Sequence, residues 1–159
     1  MSPRSNMAQL EGILRRHLPD KADEPALSAV MDVYSFVQSM QSCMAGESTP
    51  EVAEMASRAL VAVTIAWPAN PFMQRHGIAF MAVVGQAIGA IYDGATLRER
   101  ADRARAANQQ EEAQELMFRA SVQLNQIVEV AISAVALQRG VGYARANAVD
   151  LRDAIWGIK

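Results

Sequence analysis

Sixteen consecutive residues, Gly77–Tyr92 (GIAFMAVVGQAIGAIY), carry no charged side chain and one strongly polar one, Gln86. A helix that is apolar all round is ordinarily enclosed all round. The pattern therefore predicts a central helix over about 72–93, ending at Asp93-Gly94. A second strongly apolar run, Leu116–Arg139, has its main stripe at Leu116, Met117, Ala120, Leu124, Ile127, Val128, Ala131 and Val135. With the glutamates that precede it, this run predicts a long helix over about 110–139.

The remaining segments fall into helical periods around these two. Leu10, Ile13, Leu14 and His17 recur at the i, i+3, i+4, i+7 spacing of one helix face, which predicts a helix over Met7–His17 behind a frayed tail at residues 1–6. Leu18-Pro19 stops it, because a residue before proline disfavours the α region. Asp23 or Glu24 opens the next helix with Pro25 in its first turn, and Leu27, Val30, Met31, Tyr34, Val37, Met40 and Met44 keep the period until Gly46. Ser48 and Glu51 match a capping box with Pro50 beside it, starting a helix that runs to about Trp67. Two prolines in Trp67-Pro68-Ala69-Asn70-Pro71-Phe72 force a sharp turn, from which Asn70 and Pro71 can restart a helix.

Between Arg98 and Glu115 the chain reads RERADRARAANQQEEAQE, without one large apolar residue. Thr96 and Glu99 form a second potential capping box, and a turn near Ala107–Gln110, capped by Asn108, makes 97–116 a polar helical hairpin projecting from the bundle. Locally this resembles one hairpin of a tetratricopeptide repeat, but no second copy recurs at a period of about 34 residues. Gly140-Val141-Gly142 breaks the second long helix, and Ala144–Trp156 forms the last one. No window shows strand alternation. The expected fold is an all-α, single-domain bundle of five to seven helices spanning 1–159.

Composition narrows the function classes. At 159 residues and 17.3 kDa the chain can bury one real core. A net charge of -2 argues against a nucleic-acid binder. Cys43 is the single cysteine, so no internal disulfide forms, which fits a cytoplasmic setting. No signal-peptide core precedes residue 30, since Arg15, Arg16 and His17 interrupt the apolar run. The Gly77–Tyr92 stretch, bracketed by His76 and Asp93, is shorter than the roughly 20 residues a bilayer span requires, so a membrane role is not expected.

Candidate chemistry is thin. Between Met55 and Tyr92 the ionisable side chains other than Tyr92 are Arg58, Arg75 and His76. His76 follows the kinked segment bearing Trp67, Asn70, Phe72 and Arg75, and such loops position functional groups; its simpler role is a hydrogen bond to a buried carbonyl. Glu51 with Glu54, and Glu112 with Glu115, set two carboxylates one helical turn apart, the spacing by which helical nucleotide pyrophosphohydrolases hold Mg²⁺. First-turn acids are equally expected from the helix dipole. Glu129 lies mid-stripe between Asn125 and Ser133, where it either pairs with a buried arginine such as Arg58 or Arg75, or marks a solvent strip. Gly85 and Gly89, continued by Ala82, give small residues one turn apart, a surface that lets another helix approach closely; Leu116–Arg139 or a second subunit is the expected neighbour.

Together these features suggest a non-enzymatic interaction protein: an adaptor, assembly factor or inhibitor of the kind encoded by phages and mobile elements. It is expected to self-associate, with a dimer favoured, and to need no cofactor. Arg98, Arg100, Arg103, Arg105, Glu111 and Glu112 form its candidate surface for a protein partner. The alternatives are a small metal-dependent nucleotide hydrolase using the glutamate pairs with His76, and a small-molecule binder.

Overall fold

A computed structural model of the chain describes residues 3–44, 50–124 and 126–158. Side chains at 3–5, 43, 44, 51, 52, 55, 123 and 124 fall outside that description, as do the Ser48–Glu51 capping box, the side chains of Cys43 and Glu51, and Asn125. The order is α1 (Pro3–Arg15), a 3-10 turn (Lys21–Asp23), α2 (Glu24–Met44), α3 (Pro50–Val61), a π turn (Ala62–Ala66), α4 (Trp67–Ala69), α5 (Pro71–Ala106), α6 (Gln110–Leu124), α7 (Ile127–Arg139) and α8 (Val141–Trp156). No strand occurs among the described residues, and the fold is the expected all-α bundle.

The main core is built on α2, the first half of α5 and α7, with α1 and α8 packed outside them. Leu10, Leu14, Leu18, Val30, Phe80, Ile91, Val130, Val135 and Leu151 are fully enclosed in it. A second, smaller core joins Leu97, Ala101 and Ala104 of α5 to Ala113, Leu116 and Ala120 of α6, with Met117 packed against it. This explains how a stretch without large apolar residues can pair two helices. Alanine keeps full helix propensity, and its short side chain lets the two backbones close on each other.

The turn between them is built by Asn108. Its φ is 59°, and its N–H donates to Arg105 O at 3.1 Å while Gln109 N–H donates to Ala104 O at 2.9 Å. This is the paired 5→2 and 6→1 pattern that ends a helix on a left-handed residue, a role asparagine tolerates. Asn108 thus closes α5 instead of capping α6, which starts after Gln109.

Several expected boundaries move. α1 already begins at Pro3, where residues 1–6 were expected to be a frayed tail, and ends at Arg15, two residues before His17. α5 does not stop at Asp93-Gly94; it runs for 36 residues. Gly94 is buried on the inner side of the helix, so its missing side chain serves packing instead of termination. The Thr96–Glu99 capping box does not form, because Thr96 is inside the helix and its hydroxyl donates to Tyr92 O at 3.3 Å. Over the expected 110–139 helix the described residues are helical as α6 up to Leu124 and as α7 from Ile127, and residue 125 lies outside the described residues.

Of the Gly140-Val141-Gly142 triplet, only Gly140 breaks the chain. It sits at φ 98°, ψ 155°, a region open essentially to glycine alone, and it joins α7 to α8. A second device fastens the same corner. Asp23, 4% exposed, accepts from Gln138 Nε2 at 2.9 Å and Arg139 Nη2 at 2.8 Å, and from the backbone N–H of Asp20 at 3.0 Å. Burial opposes its ionisation, but the Gln138 and Asp20 hydrogen bonds and the Arg139 charge outweigh it, so its pKa lies below the ordinary carboxylate value.

Two outcomes are expected. Gly140→Ala costs about 1–3 kcal/mol in denaturant unfolding from backbone strain alone, since open space surrounds the added methyl. Asp23→Asn costs a similar amount, about 1–3 kcal/mol, at neutral pH. Because the folded pKa is depressed, the Asp23 contribution is present above the ordinary carboxylate range, about 4, and is lost as pH falls through the folded value. The stability gap between wild type and Asp23→Asn therefore closes in acid; a gap independent of pH would count against the clamp.

Candidate functional site

The turn at 67–76, the expected place for chemistry, is a structural joint. Trp67 and Phe72 are buried and meet Phe80 edge-to-face, with ring centroids at 6.4 Å and 5.3 Å. Asn70, held extended before Pro71 as proline geometry requires, accepts from Met73 N–H at 3.1 Å and caps α5. Its amide donates to Pro25 O at 3.0 Å, tying the joint to the start of α2. His76 is half-buried against Phe72, with centroids 5.3 Å apart. Among the described residues it has no hydrogen-bond partner, so the expected bond to a buried carbonyl is not made. Arg75 is exposed beside it. With Met73, Gly77, Ile78 and Met81, His76 lines a shallow, open groove formed by α5 alone.

The acidic candidates do not converge. Glu112 and Glu115 are exposed in the first turns of α6, where the helix dipole favours acids. Glu54 is exposed and pairs with Arg58 one turn along at 3.4 Å, while Glu51 has no described side chain. Among the described residues, no three His, Cys, Asp or Glu side chains group as metal ligands would. Glu129 is exposed in the first turn of α7. The pair with Arg58 or Arg75 is not formed among the described residues. The charges of the α5–α6 hairpin, Arg98, Arg100, Arg103, Arg105, Glu111 and Glu112, all face solvent. Arg103–Glu99 and Arg105–Asp102 are pairs within α5 at 3.4 and 3.5 Å, a kind of surface contact worth about 1 kcal/mol at most.

The main departure from expectation concerns Gly77–Tyr92. It is not enclosed. Beyond Phe72 at its start, α5 buries a single seam, Phe80, Val84, Ala87, Ile91, Gly94, Leu97, Ala101 and Ala104, whose steps of three or four residues describe one narrow line along a helix. The opposite line carries Ile78, Met81, Ala82, Gly85, Gly89 and Tyr92, all exposed. Ile78 is 94% and Tyr92 55% exposed. α7 does pack on α5, but on the buried seam; a Cβ placed on Gly85 or Gly89 would meet nothing within 4 Å. Among the described residues the glycine face has no neighbour.

A second apolar surface adjoins the joint. Along α3 and the π turn, Ala59, Ala62 and Trp67 point inward. Leu60, Val61, Val63 and Ile65 face out, Ile65 with 69% of its surface exposed. A π turn adds a residue to the helical repeat, and here it falls between the inward Ala62 and Trp67.

Two contacts escaped the sequence reading. Asp32 on α2 accepts from Trp67 Nε1 at 3.0 Å; burial raises its pKa, against the Trp67 bond and the Arg58 charge. The available signal was a lone acid inside the apolar period of α2. His17 Nδ1 lies 3.0 Å from the Tyr143 hydroxyl, linking the end of α1 to α8, and burial first, then the Arg16 charge, lowers its pKa. No local pattern could have signalled a pair 126 residues apart.

Since a raised carboxylate pKa means that the ionised form disfavours folding, Asp32→Asn keeps the bond to Trp67 and is expected to hold or raise the melting temperature at neutral pH. That gain disappears at low pH, where Asp32 is protonated in both states. Asp32→Leu, which orphans the indole N–H, costs about 1–3 kcal/mol; melting curves at two pH values check both. Comparisons of the chain with protein-family models, with curated proteins and with solved structures returned no match.

Proposed function

We propose that this chain is a non-enzymatic helical interaction protein that works as a self-associated assembly, with a dimer as its basic unit. The observation that supports this is the apolar surface left open on two elements, α5 and the α3 to π-turn rod. Large contiguous apolar patches on a folded chain mark sites of association, and here they carry Ile78, Met81 and Tyr92 on one side and Leu60, Val63 and Ile65 on the other. On this proposal one face closes the dimer, and the charged end of the α5–α6 hairpin remains free for a different protein.

A bilayer is the other phase that could cover such faces. α5 is long and apolar enough to cross a membrane, and 28% of its most apolar window is buried. Length and composition alone favour this second reading, and the small-residue line at Gly85 and Gly89 favours a close helix neighbour in either setting.

Size-exclusion chromatography with light scattering at micromolar concentration is expected to give about twice 17.3 kDa. Ile78→Glu should weaken association by at least about 100-fold, since an unpaired charge in an apolar contact costs on the order of 3 kcal/mol or more. A monomeric mass for the wild type overturns the proposal, and co-flotation of that monomer with phosphatidylcholine–phosphatidylglycerol vesicles would replace it with the membrane reading.

A further inference from the structure

Resting on the self-association proposed above, we infer that the occupant of the open α5 face is the same face of a second copy, running antiparallel and crossing at Gly85. Three observations fix the occupant and its direction.

The first is area. The chain exposes 8968 Å², whereas a compact monomer of this mass exposes about 7,800 Å². The excess, about 1,200 Å², is of the order of the roughly 800 Å² that each partner contributes to a standard interface. One further contact of ordinary size would bring the chain to normal compactness.

The second is the symmetry of the face about its own midpoint. Gly85 lies midway between Ile78 and Tyr92, and also between Met81 and Gly89. An antiparallel two-fold through Gly85 therefore sets Ile78 against Tyr92 of the second copy and Met81 against Gly89. The two Met81–Gly89 pairs set a large side chain against the gap left by a small one, Ile78 and the Tyr92 ring meet as apolar contacts outside them, and two glycine backbones meet at the centre with no Cβ between them. The shallow groove at Met73, Gly77 and Ile78 then lies opposite the Tyr92 ring of the second copy. A parallel pair would instead oppose Tyr92 with Tyr92 and leave the groove empty.

The third is charge. The face is uncharged between two exposed groups, Arg75 at its start and Asp93 at its end. They fall on the same flank of the helix, because 18 residues make five turns of 3.6. Antiparallel pairing brings Arg75 of each copy to Asp93 of the other, twice by symmetry. Parallel pairing sets arginine level with arginine and aspartate level with aspartate.

Cross-linking tests the direction. In full-length protein carrying Cys43→Ser, single cysteines are introduced as Gly85→Cys, Ile78→Cys or Tyr92→Cys, and helix content is checked by circular dichroism. Residues 78 of two antiparallel copies are about 21 Å apart along the axis, well beyond the roughly 7 Å that a disulfide spans. The expected result is a covalent dimer from Gly85→Cys alone, and none from Ile78→Cys alone. Mixing Ile78→Cys with Tyr92→Cys is expected to give a heterodimer, which keeps the test valid if a side chain at position 85 loosens the crossing. Self-linking of Ile78→Cys in a dimeric protein overturns the antiparallel inference and leaves self-association standing. A dimer linked by none of these cysteines places the contact on another face and likewise overturns it. A monomeric mass by light scattering overturns both.

Discussion

The single buried seam of α5 is the constraint on which the rest depends. Thirty-six residues form one uninterrupted helix, yet only one line of side chains along it is enclosed. In its first half that line is closed by α2 and α7, with Phe80, Val84, Ala87 and Ile91 as the contacts. In its second half it is closed by α6, through Leu97, Ala101 and Ala104. The same seam thus runs from the main core into the hairpin, and Gly94, buried at the changeover, lets it pass without a break. Because the line is narrow, the opposite side of α5 is left uncovered by the described residues whatever its composition.

That geometry gives meaning to the apolar residues on the uncovered side. Had Gly77–Tyr92 been wrapped on all sides, Gly85 and Gly89 would be packing details of a bundle interior. With the face open, they form the middle of an uncharged surface bounded by Arg75 and Asp93. Apolar area left in water is unfavourable by about 25 cal/mol per Å², so the exposure of Ile78, Met81 and Tyr92 favours a covering partner. Leu60, Val63 and Ile65 on the α3 rod add to the same tendency. The corner held by Gly140 and by Asp23 with Arg139 is of a different kind: it fixes α7 and α8 to α1 and α2 and bears on the face only by keeping the core that supports α5 in place.

The helical class and most turn chemistry were legible in the sequence. Asn70-Pro71 restarts a helix as its residue types require, and Gly140 breaks one. The hairpin turn fell where polar residues accumulate, although Asn108 serves as the left-handed end of α5 and not as a cap of α6. What could not be read was context. Gly94 has the local signature of a stop, and only the packing of α5 turns it into a contact. The Asp23–Arg139 and His17–Tyr143 contacts join residues more than 110 positions apart. Composition likewise could not separate an apolar helix that is enclosed from one that is open, and the candidates His76, Glu112, Glu115 and Glu129 proved to be dispersed, half-buried or exposed groups.

Hydroxyl-radical footprinting across a dilution series reads the state of the α5 face without altering it. If the face is closed by association, Met81 and Tyr92 are protected at high protein concentration and become reactive together on dilution, while exposed Phe118 on α6 reacts equally throughout. Equal, high reactivity of Met81 and Tyr92 at every concentration would show that the face stays open in solution and would contradict the account.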